Sequence, residues 1–216
     1  MNTREKIKAS KTLTGPFPIF DIEKTSEYPH ELFLEWFQSA VDQNVHEPHS
    51  MILSTTSLDG SPDARVLILK DVDEKGWYFA SSSISNKGKQ IDANPNVALT
   101  FYWSMIGRQV RIRGAAVPMG KEMSKKDFLK RGKTARAIAL IERQSSILEE
   151  QFDFDQAIKI QLEKIQKNPE IISPNWTVYR VAAEEVEFWQ GNEDRKHIRL
   201  RYKLIENKWI KNSLWA

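Results

Sequence analysis

The segment at 187–201, EFWQGNEDRKHIRLR, concentrates side chains that could bind an anionic, planar ligand. Arg195, His197 and Arg199 recur at every second position, so in an extended strand all three side chains leave the same face. Guanidinium groups stack on flat rings and bind phosphate or carboxylate through paired donors. The spacing fits equally well with a charged strand edge that discourages aggregation. The pattern alone does not decide between a ligand-binding surface beside Trp189 and a solvated strand edge.

Further basic residues lie at the ends of predicted elements. Arg65 and Lys70 bracket an apolar run, 66–69. Because they are five positions apart, a regular strand would point them to opposite faces, and a shared ligand requires either a bulge or a Lys70 that lies beyond the strand end. Lys87, near the start of a predicted helix, could bind an anion together with the helix amides, although a lone lysine there is usually solvated.

Several chemistries are excluded by what the sequence lacks. It contains no glycine-rich phosphate loop, HExxH, GxSxG or dinucleotide fingerprint. With no cysteine, disulfides, thiolate catalysis and cysteine metal sites are excluded. His46 and His49 have no nearby ligand partner beyond Glu47, so no metal site is predicted.

Size and charge limit the remaining functions. The 216 residues suffice for one substantial domain, and we expect an arm at 1–28 followed by a single domain at 29–216. Lys and Arg number 32 against 29 Asp and Glu, and a net charge of +3 argues against general nucleic-acid binding. No apolar run approaches the roughly 18 residues of a membrane span, and the N-terminus lacks the pattern of a signal peptide, so we expect a cytoplasmic protein.

The elements that must position these residues follow from periodicity and turn signals. Residues 1 to about 28 look irregular, a helix is predicted from Pro29 to Gln43, a short helix at 85–91, and two or three helices between 121 and 167. Strands are predicted at 51–57, 64–71, 77–81, 97–103, 109–117, 176–182, 186–189, 195–204 and 208–214. Antiparallel strands with inserted helices indicate an α+β protein built on a closed or partly closed barrel.

Five motifs in constant order resemble the pyridoxamine 5′-phosphate oxidase family of FMN-dependent split-barrel proteins. They are RVLILK at 65–70, FASSSISNKGKQI at 79–91, GRQVRIRG at 107–114, RQSS at 143–146 and EFWQGNEDRKHIRLRY at 187–202. The resemblance covers nearly all of the chain from about residue 29. It implies an FMN-binding split β-barrel, antiparallel and Greek-key-like, with peripheral helices in a homodimer.

The resemblance also implies roles for individual residues. The family positions that hold the FMN phosphate and ribityl chain correspond to Arg65, Ser81, Ser85 and Lys87. Lys70 matches a lysine at the flavin and the substrate phosphate. The isoalloxazine ring is matched by Gln109, and flavin contacts across the dimer interface are matched by Gln144, Ser145, Trp189 and Arg199. FMN would then sit between two subunits, and a homodimer would be required for function.

Substrate residues are implied in the same way: Lys70, Arg131, Arg195 and His197. Arg195 and His197 match the catalytic pair that lies over the substrate on the flavin face. In the family reaction a hydride leaves C4′ of pyridoxine or pyridoxamine 5′-phosphate, and oxygen then reoxidises FMN with release of hydrogen peroxide. Arg195 would fix the substrate ring, and His197 would orient the substrate or assist proton movement.

The sequence departs from the family at the phosphate sites. Asp127 replaces a tyrosine and Ala135 a serine of the substrate-phosphate clamp, and an aspartate beside a phosphate would repel it. Asn86 replaces an arginine at the flavin phosphate. The arm lacks the family's substrate lid, and TLTGPFPIF at 12–20 is more similar to the arm of phenazine-biosynthesis oxidases.

Three functions are therefore weighed. The first is an FMN-dependent oxidase with pyridoxine or pyridoxamine 5′-phosphate as reference substrate. The second is a sister oxidase that aromatises a reduced phenazine carboxylic acid. The third is a flavin-binding split barrel without turnover, against which the retained Lys70, Arg195 and His197 argue.

Overall fold

The computed structural model describes residues Met1–Ala216. Its α-helices are α1 (Thr3–Ala9), α2 (Pro29–Asp42), α3 (Asn86–Ala93), α4 (Gly120–Lys130), α5 (Lys133–Ile141) and α6 (Gln151–Lys167). Its strands are β1 (Ser50–Thr56), β2 (Pro62–Ile68), β3 (Asp71–Asp73), β4 (Gly76–Ser82), β5 (Asn96–Trp103), β6 (Arg108–Pro118), β7 (Trp176–Gln190), β8 (Ile198–Ile205) and β9 (Lys208–Ser213). Short 3-10 helices lie at Ile22–Lys24 and Ser104–Ile106.

The strands form one hydrogen-bonded sheet in the order β2-β1-β5-β6-β7-β4-β3, with β8 paired to β7 and β9 to β8. The pairs β3/β4, β4/β7, β7/β8 and β8/β9 are antiparallel. Antiparallel strand pairs with helices inserted between the strands confirm the predicted α+β class. None of the helices combines the length and the apolar character that a membrane span requires.

The chain divides into two compact units. We call Met1–Met51, Leu99–Ile112 and Glu184–Ala216 the first unit, and Ile52–Ala98 with Arg113–Ala183 the second unit.

The first unit has an aromatic core built on α2. Pro29 occupies the first turn of the helix, where its missing N–H is not needed. Phe33 and Trp36 are buried on one face of α2. Phe33 packs edge-on against Phe101 at a centroid distance of 5.0 Å, and Trp36 packs against Phe188 at 5.1 Å. The helix predicted from Pro29 is therefore confirmed, because its apolar stripe is the buried one.

The second unit supports its strands through close backbone approach. Strand β4 pairs with β7 from Trp77↔Val181 to Ser82↔Trp176. Gly76 has φ of 147°, and a Cβ there would overlap the carbonyl oxygen of Val181. Helix α3 begins four residues after β4 ends, and α5 packs against α6. This arrangement places one end of β4 beside the N-terminus of α3.

Some predicted elements differ from the structure. The strands predicted at 176–182 and 186–189 form one continuous strand, β7. The N-terminal segment predicted to be irregular contains α1, capped by Asn2 and Glu5 in a capping box. Helix α1 has no buried residue, so it produces no apolar periodicity that a sequence pattern could reveal.

Candidate functional site

The second unit contains a cavity of about 910 Å³. Five residues assigned to cofactor or substrate from the sequence line it, namely Lys70, Ser81, Arg131, Gln144 and Ser145. Its size suits a small organic ligand, for which protein pockets usually measure about 300–1,000 Å³. Gln144 and Ser145 were expected to act across a dimer interface, whereas here they lie on the cavity of their own chain.

Lys70 reaches this cavity because it lies beyond the end of a strand. Strand β2 ends at Ile68, and the Lys70 N–H donates to the carbonyl of Tyr78 at 2.8 Å. A ligand shared by Arg65 and Lys70 was expected to require either a bulge or a Lys70 beyond the strand end. The structure shows the second arrangement. The Lys70 side chain is one-third exposed.

Ser85 and Lys87 form a cationic corner at the N-terminus of α3. Ser85 caps the helix, because its Oγ accepts from the Gly88 N–H at 3.3 Å and donates to the Ser82 carbonyl at 2.7 Å. Lys87 Nζ lies 3.3 Å from Ser85 Oγ, and the lysine is only 6% exposed. Burial, and secondly the charge of Arg65, lower the pKa of Lys87 from its usual 10.5. We call Arg65, Ser85 and Lys87 the phosphate corner.

Arg65 is held in this corner by neighbouring side chains. Its guanidinium donates to Thr55 Oγ1 at 2.6 Å and to Gln90 Oε1 at 3.3 Å. It also forms an ion pair with Asp63, whose side chain is 46% exposed. Because Arg65 and Lys87 repel each other in a largely buried place, the corner favours an anion.

Polar atoms without partners indicate that the cavity suits a polar ligand. Ser82 Oγ and Arg131 Nε are buried and have no hydrogen-bond partner within the chain, and both residues line the cavity. A buried polar group without a partner is costly, so a ligand that supplies one is stabilised. Together with the phosphate corner, these atoms fit a phosphorylated cofactor such as FMN.

A second charged corner surrounds Asp127. Asp127 Oδ1 lies 3.2 Å from Lys70 Nζ, and its Oδ2 accepts from Trp176 Nε1 at 2.8 Å. The Arg131 guanidinium stacks on the Trp176 ring at 3.9 Å and donates to the Ala135 carbonyl at 3.2 Å. Burial lowers the pKa of Arg131, and Asp127 opposes that effect. We call Lys70, Asp127, Arg131 and Trp176 the aspartate corner.

In the first unit, a loop after β7 carries Arg195 and His197. The His197 ring lies 4.8 Å from that of Trp189, and its Nδ1 accepts from the Asn192 N–H at 3.1 Å. Arg195 has φ of 62°, its N–H donates to the Asn192 carbonyl at 3.0 Å, and β8 begins only at Ile198. The predicted strand at 195–204 therefore starts three residues too early. Arg195 belongs to a turn, so the period-two argument does not apply to it.

Arg199 is fixed by a buried carboxylate that the sequence argument missed. Arg199 Nε donates to Glu187 Oε1 at 3.0 Å, and Arg111 pairs with the other oxygen of Glu187. Glu187 is 4% exposed, so two cations compensate its burial. The sequence did contain a signal for this ion pair, because Glu187 lies two positions before Trp189 and therefore on the same face of the strand. Gln109, expected at the flavin ring, is half-buried on β6.

Comparison with protein families matches residues 37–190 to the model of pyridoxamine 5′-phosphate oxidase. Residues 176–216 match the pyridoxine 5′-phosphate oxidase C-terminal dimerisation region, which supports a homodimer. A pyridoxine/pyridoxamine 5′-phosphate oxidase of Wolbachia pipientis wMel is 39% identical over 189 residues, or 87% of this chain and 86% of the relative. A pyridoxine/pyridoxamine 5′-phosphate oxidase of Nitrobacter hamburgensis is 35% identical over 217 residues, and the match covers 100% of this chain and 100% of the relative.

Solved structures give a consistent result. PhzG from Burkholderia lata 383, solved in complex with tetrahydrophenazine-1-carboxylic acid, superposes with a TM-score of 0.88 at 26% identity, covering 94% of this chain and 100% of that one. A pyridoxamine 5′-phosphate oxidase-related, FMN-binding protein from Nostoc punctiforme PCC 73102 superposes with a TM-score of 0.69 at 15% identity, covering 88% and 99%. The relatives are thus named for a phosphate ester, whereas the neighbouring PhzG structure holds a phenazine carboxylic acid.

Proposed function

Because this chain belongs to the pyridoxamine 5′-phosphate oxidase family, we propose that it oxidises pyridoxine or pyridoxamine 5′-phosphate at C4′. The chain is an FMN-dependent oxidoreductase with the FMN-binding split-barrel fold. The observation that carries the proposal is the alignment of relatives that bear this name across nearly all of the chain. When bound, FMN supplies the hydride acceptor, and oxygen restores its oxidised form as hydrogen peroxide is released.

The phosphate corner is proposed to hold the FMN phosphate. Lys87 and Arg65 supply the charge, while Ser85 caps the helix whose first amides point toward the same place. Ser81, near the end of β4, lines the cavity and adds a hydroxyl group to it. In this proposal Gln109, Gln144, Ser145, Trp189 and Arg199 contact the flavin, with a second subunit completing the groove.

Arg195 and His197 are proposed to hold the substrate. Since His197 Nδ1 accepts a backbone N–H, a neutral His197 carries its proton on Nε2 and presents a donor. It therefore orients the substrate through a hydrogen bond rather than removing a proton at that atom. Arg195 is exposed in the single chain, which leaves its guanidinium available to a ligand.

A reduced phenazine carboxylic acid is the second candidate substrate. It is supported by the superposition with PhzG and by Asp127, which already neutralises Lys70 where a phosphate would bind. The corresponding reaction also passes hydrogen to FMN, here from a reduced ring and not from the exocyclic C4′ carbon, so the same cofactor site serves either substrate.

The test is flavin reduction by each substrate. Purified protein should release FMN on denaturation, and anaerobic pyridoxine 5′-phosphate should bleach the flavin, with hydrogen peroxide formed once oxygen is admitted. We expect Arg195→Ala to retain FMN and to slow bleaching roughly 100-fold or more, because substrate orientation is lost. Lys196→Ala, at the exposed neighbouring residue, is the matched control and should reduce at the normal rate.

The outcomes separate the three functions. Bleaching by a reduced phenazine carboxylate, but not by pyridoxine 5′-phosphate, would replace the first candidate by the second. A protein that binds FMN but is bleached by neither would be a flavin carrier without this oxidase activity. Normal kinetics in Arg195→Ala would assign that residue a structural role.

A further inference from the structure

The loop that carries Arg195 and His197 is held together by its own hydrogen bonds. It spans residues 191–197, between the end of β7 and the start of β8. The Asn192 N–H donates to His197 Nδ1 at 3.1 Å, and the Asn192 carbonyl accepts from the Arg195 N–H at 3.0 Å. These bonds fix Arg195 and His197 relative to each other. They do not fix the loop relative to the sheet.

The base of this loop is fastened by the buried side chain of Gln190, the last residue of β7. Gln190 is 3% exposed, and its Nε2 donates to the carbonyls of Ile106 and Gly107, each at 3.2 Å. The Gly191 N–H donates to the same Gly107 carbonyl at 2.6 Å. The point where the loop leaves the sheet is therefore bonded to the turn that precedes β6.

Arg108 orients the amide of Gln190. It is 5% exposed, its Nε donates to Gln190 Oε1 at 2.9 Å, and its guanidinium lies 4.2 Å from the centre of the Trp36 ring. No carboxylate pairs with Arg108, and burial lowers its pKa to about 10. A buried cation without a counter-ion is costly, and apolar side chains would fill this space at lower cost. The arginine is explained if it keeps Gln190 Oε1 toward itself and Nε2 toward the two carbonyls.

A second attachment joins this loop to the N-terminal arm. Glu193 Oε1 accepts from the Gly15 N–H at 2.7 Å, and this bond is exposed to solvent. Because water competes for exposed groups, this bond stabilises the loop less than the buried network at its base. We call Arg108 and Gln190 the loop anchor.

Resting on the oxidase function proposed above, we propose that the loop anchor consists of two positioning residues that set where Arg195 and His197 meet the substrate. The anchor acts through the loop backbone, and a displacement of about 1 Å at a reacting group can slow a reaction about 100-fold. The anchor and the loop belong to the first unit, whereas the phosphate corner belongs to the second. FMN affinity should therefore depend little on the anchor.

The experiment measures anaerobic flavin reduction by pyridoxine 5′-phosphate in the FMN-loaded protein. The dependence of the bleaching rate on substrate concentration gives the limiting rate and the substrate dissociation constant. We expect Gln190→Met to lower the ratio of rate to dissociation constant about tenfold or more, while FMN affinity changes by less than about twofold. Gln190→Glu should be impaired as strongly, because a carboxylate accepts from Arg108 but cannot donate to the Ile106 and Gly107 carbonyls.

A double-mutant cycle tests whether the two anchor residues act together. Arg108→Met keeps an unbranched stem over Trp36 but removes the donor that orients Gln190. The double variant Arg108→Met/Gln190→Met should be no slower than Gln190→Met alone, because the partner of Arg108 is already absent there. If the residues acted independently, the two losses would multiply.

Two controls separate positioning from a general loss of stability. Tyr202→Phe removes the hydrogen bond of another buried side chain in the first unit, from Tyr202 Oη to the Ser26 carbonyl at 2.7 Å. It should lower the melting temperature without slowing flavin reduction. Amide hydrogen exchange at 191–197 should be about tenfold faster in Gln190→Met and unchanged in Tyr202→Phe. If Gln190→Met does not retain FMN, Arg108→Met tests the same loop with the Gln190 side chain in place.

Normal reduction kinetics in the Gln190 variants would overturn the positioning role, whether or not the loop exchanges faster. Equal slowing in Tyr202→Phe would also overturn it, because the effect would then follow stability alone. Multiplied losses in the double variant would refute the joint action of Arg108 and Gln190. Failure of the oxidase function gives a different result, since neither pyridoxine 5′-phosphate nor a reduced phenazine carboxylate would bleach the unmodified protein. Unchanged exchange at 191–197 in Gln190→Met would refute the anchor in that case too.

Discussion

The phosphate corner and the aspartate corner each combine two cations with one nearby carboxylate, but they differ in where that carboxylate lies. At the phosphate corner, Asp63 pairs with Arg65 from a side chain that is 46% exposed. At the aspartate corner, Asp127 is 18% exposed and is held by Trp176 as well as Lys70. Water screens the first carboxylate much more than the second.

The pKa values reflect this difference. Burial and Arg65 lower the pKa of Lys87, and Asp63 opposes them only as the third influence. At the other corner, burial lowers the pKa of Arg131, and Asp127 is the charge that opposes it. The cations of the phosphate corner therefore still favour a bound anion, whereas those of the aspartate corner are largely neutralised by Asp127. The number of cations in a site does not predict the charge of its ligand unless the burial of each counter-ion is known.

Removing the buried cation of the phosphate corner should have the largest effect. We expect Lys87→Met to weaken FMN binding about 10- to 100-fold, because a charge-assisted hydrogen bond to phosphate is lost. FMN fluorescence quenching on titration into the FMN-free protein measures the affinity. Lys89→Met, at an exposed lysine of the same helix, should change it little. Equal losses in both variants would mean that only the general charge of α3 matters.

The same lysine should give FMN binding an alkaline pH dependence. A bound phosphate favours protonated Lys87, so affinity should be full below the lowered pKa and fall as pH rises through it, beginning below 10.5. The loss should not exceed about tenfold per pH unit, because one proton is linked to binding. For the FMN-free chain the sign is reversed, because the unfolded state binds more protons in this window and stability rises with pH. Affinity in Lys87→Met should lack this pH dependence, and retention of the slope would assign it to another group.

Removing the exposed carboxylate should have the smallest effect. We expect Asp63→Asn to tighten FMN binding about twofold at low salt, because an exposed pair contributes little and is screened. The gain should vanish in 0.5 M salt. A change of tenfold would contradict the comparison, since Asp63 would then act like the less exposed Asp127.

Much of the fold could be predicted because its signals are local. The stripe of α2, the Ser85 cap of α3 and the turn at Glu206 and Asn207, both with positive φ, all follow from neighbouring residues. Contacts between distant segments could not be predicted in this way. Strand β7 appears as two strands in the sequence because Glu184 and Glu185 interrupt its apolar pattern, yet pairing carries the strand through them. The single domain expected at 29–216 stays a prediction.

For the site, the residue types were predictable and their partners were not. The cavity brings together Lys70, Ser81 and Arg131, which the family resemblance assigned to the cofactor or the substrate. Asp127 was expected to repel a phosphate, but its pairing with Lys70 and Trp176 joins segments 57 and 49 residues apart. Arg195 was misplaced because alternation in sequence does not reveal a residue with positive φ. The roles of these residues in binding FMN remain proposals.

Gln144 lies on the same cavity as Lys70 within one chain, whereas the family resemblance assigns it to the flavin of the neighbouring subunit. The two arrangements differ in genetic complementation. If the cavity belongs to one chain, a mixed dimer of a Lys70 variant and a Gln144 variant contains two damaged sites. If it is shared, one of the two sites combines both unaltered residues, and half of the activity returns.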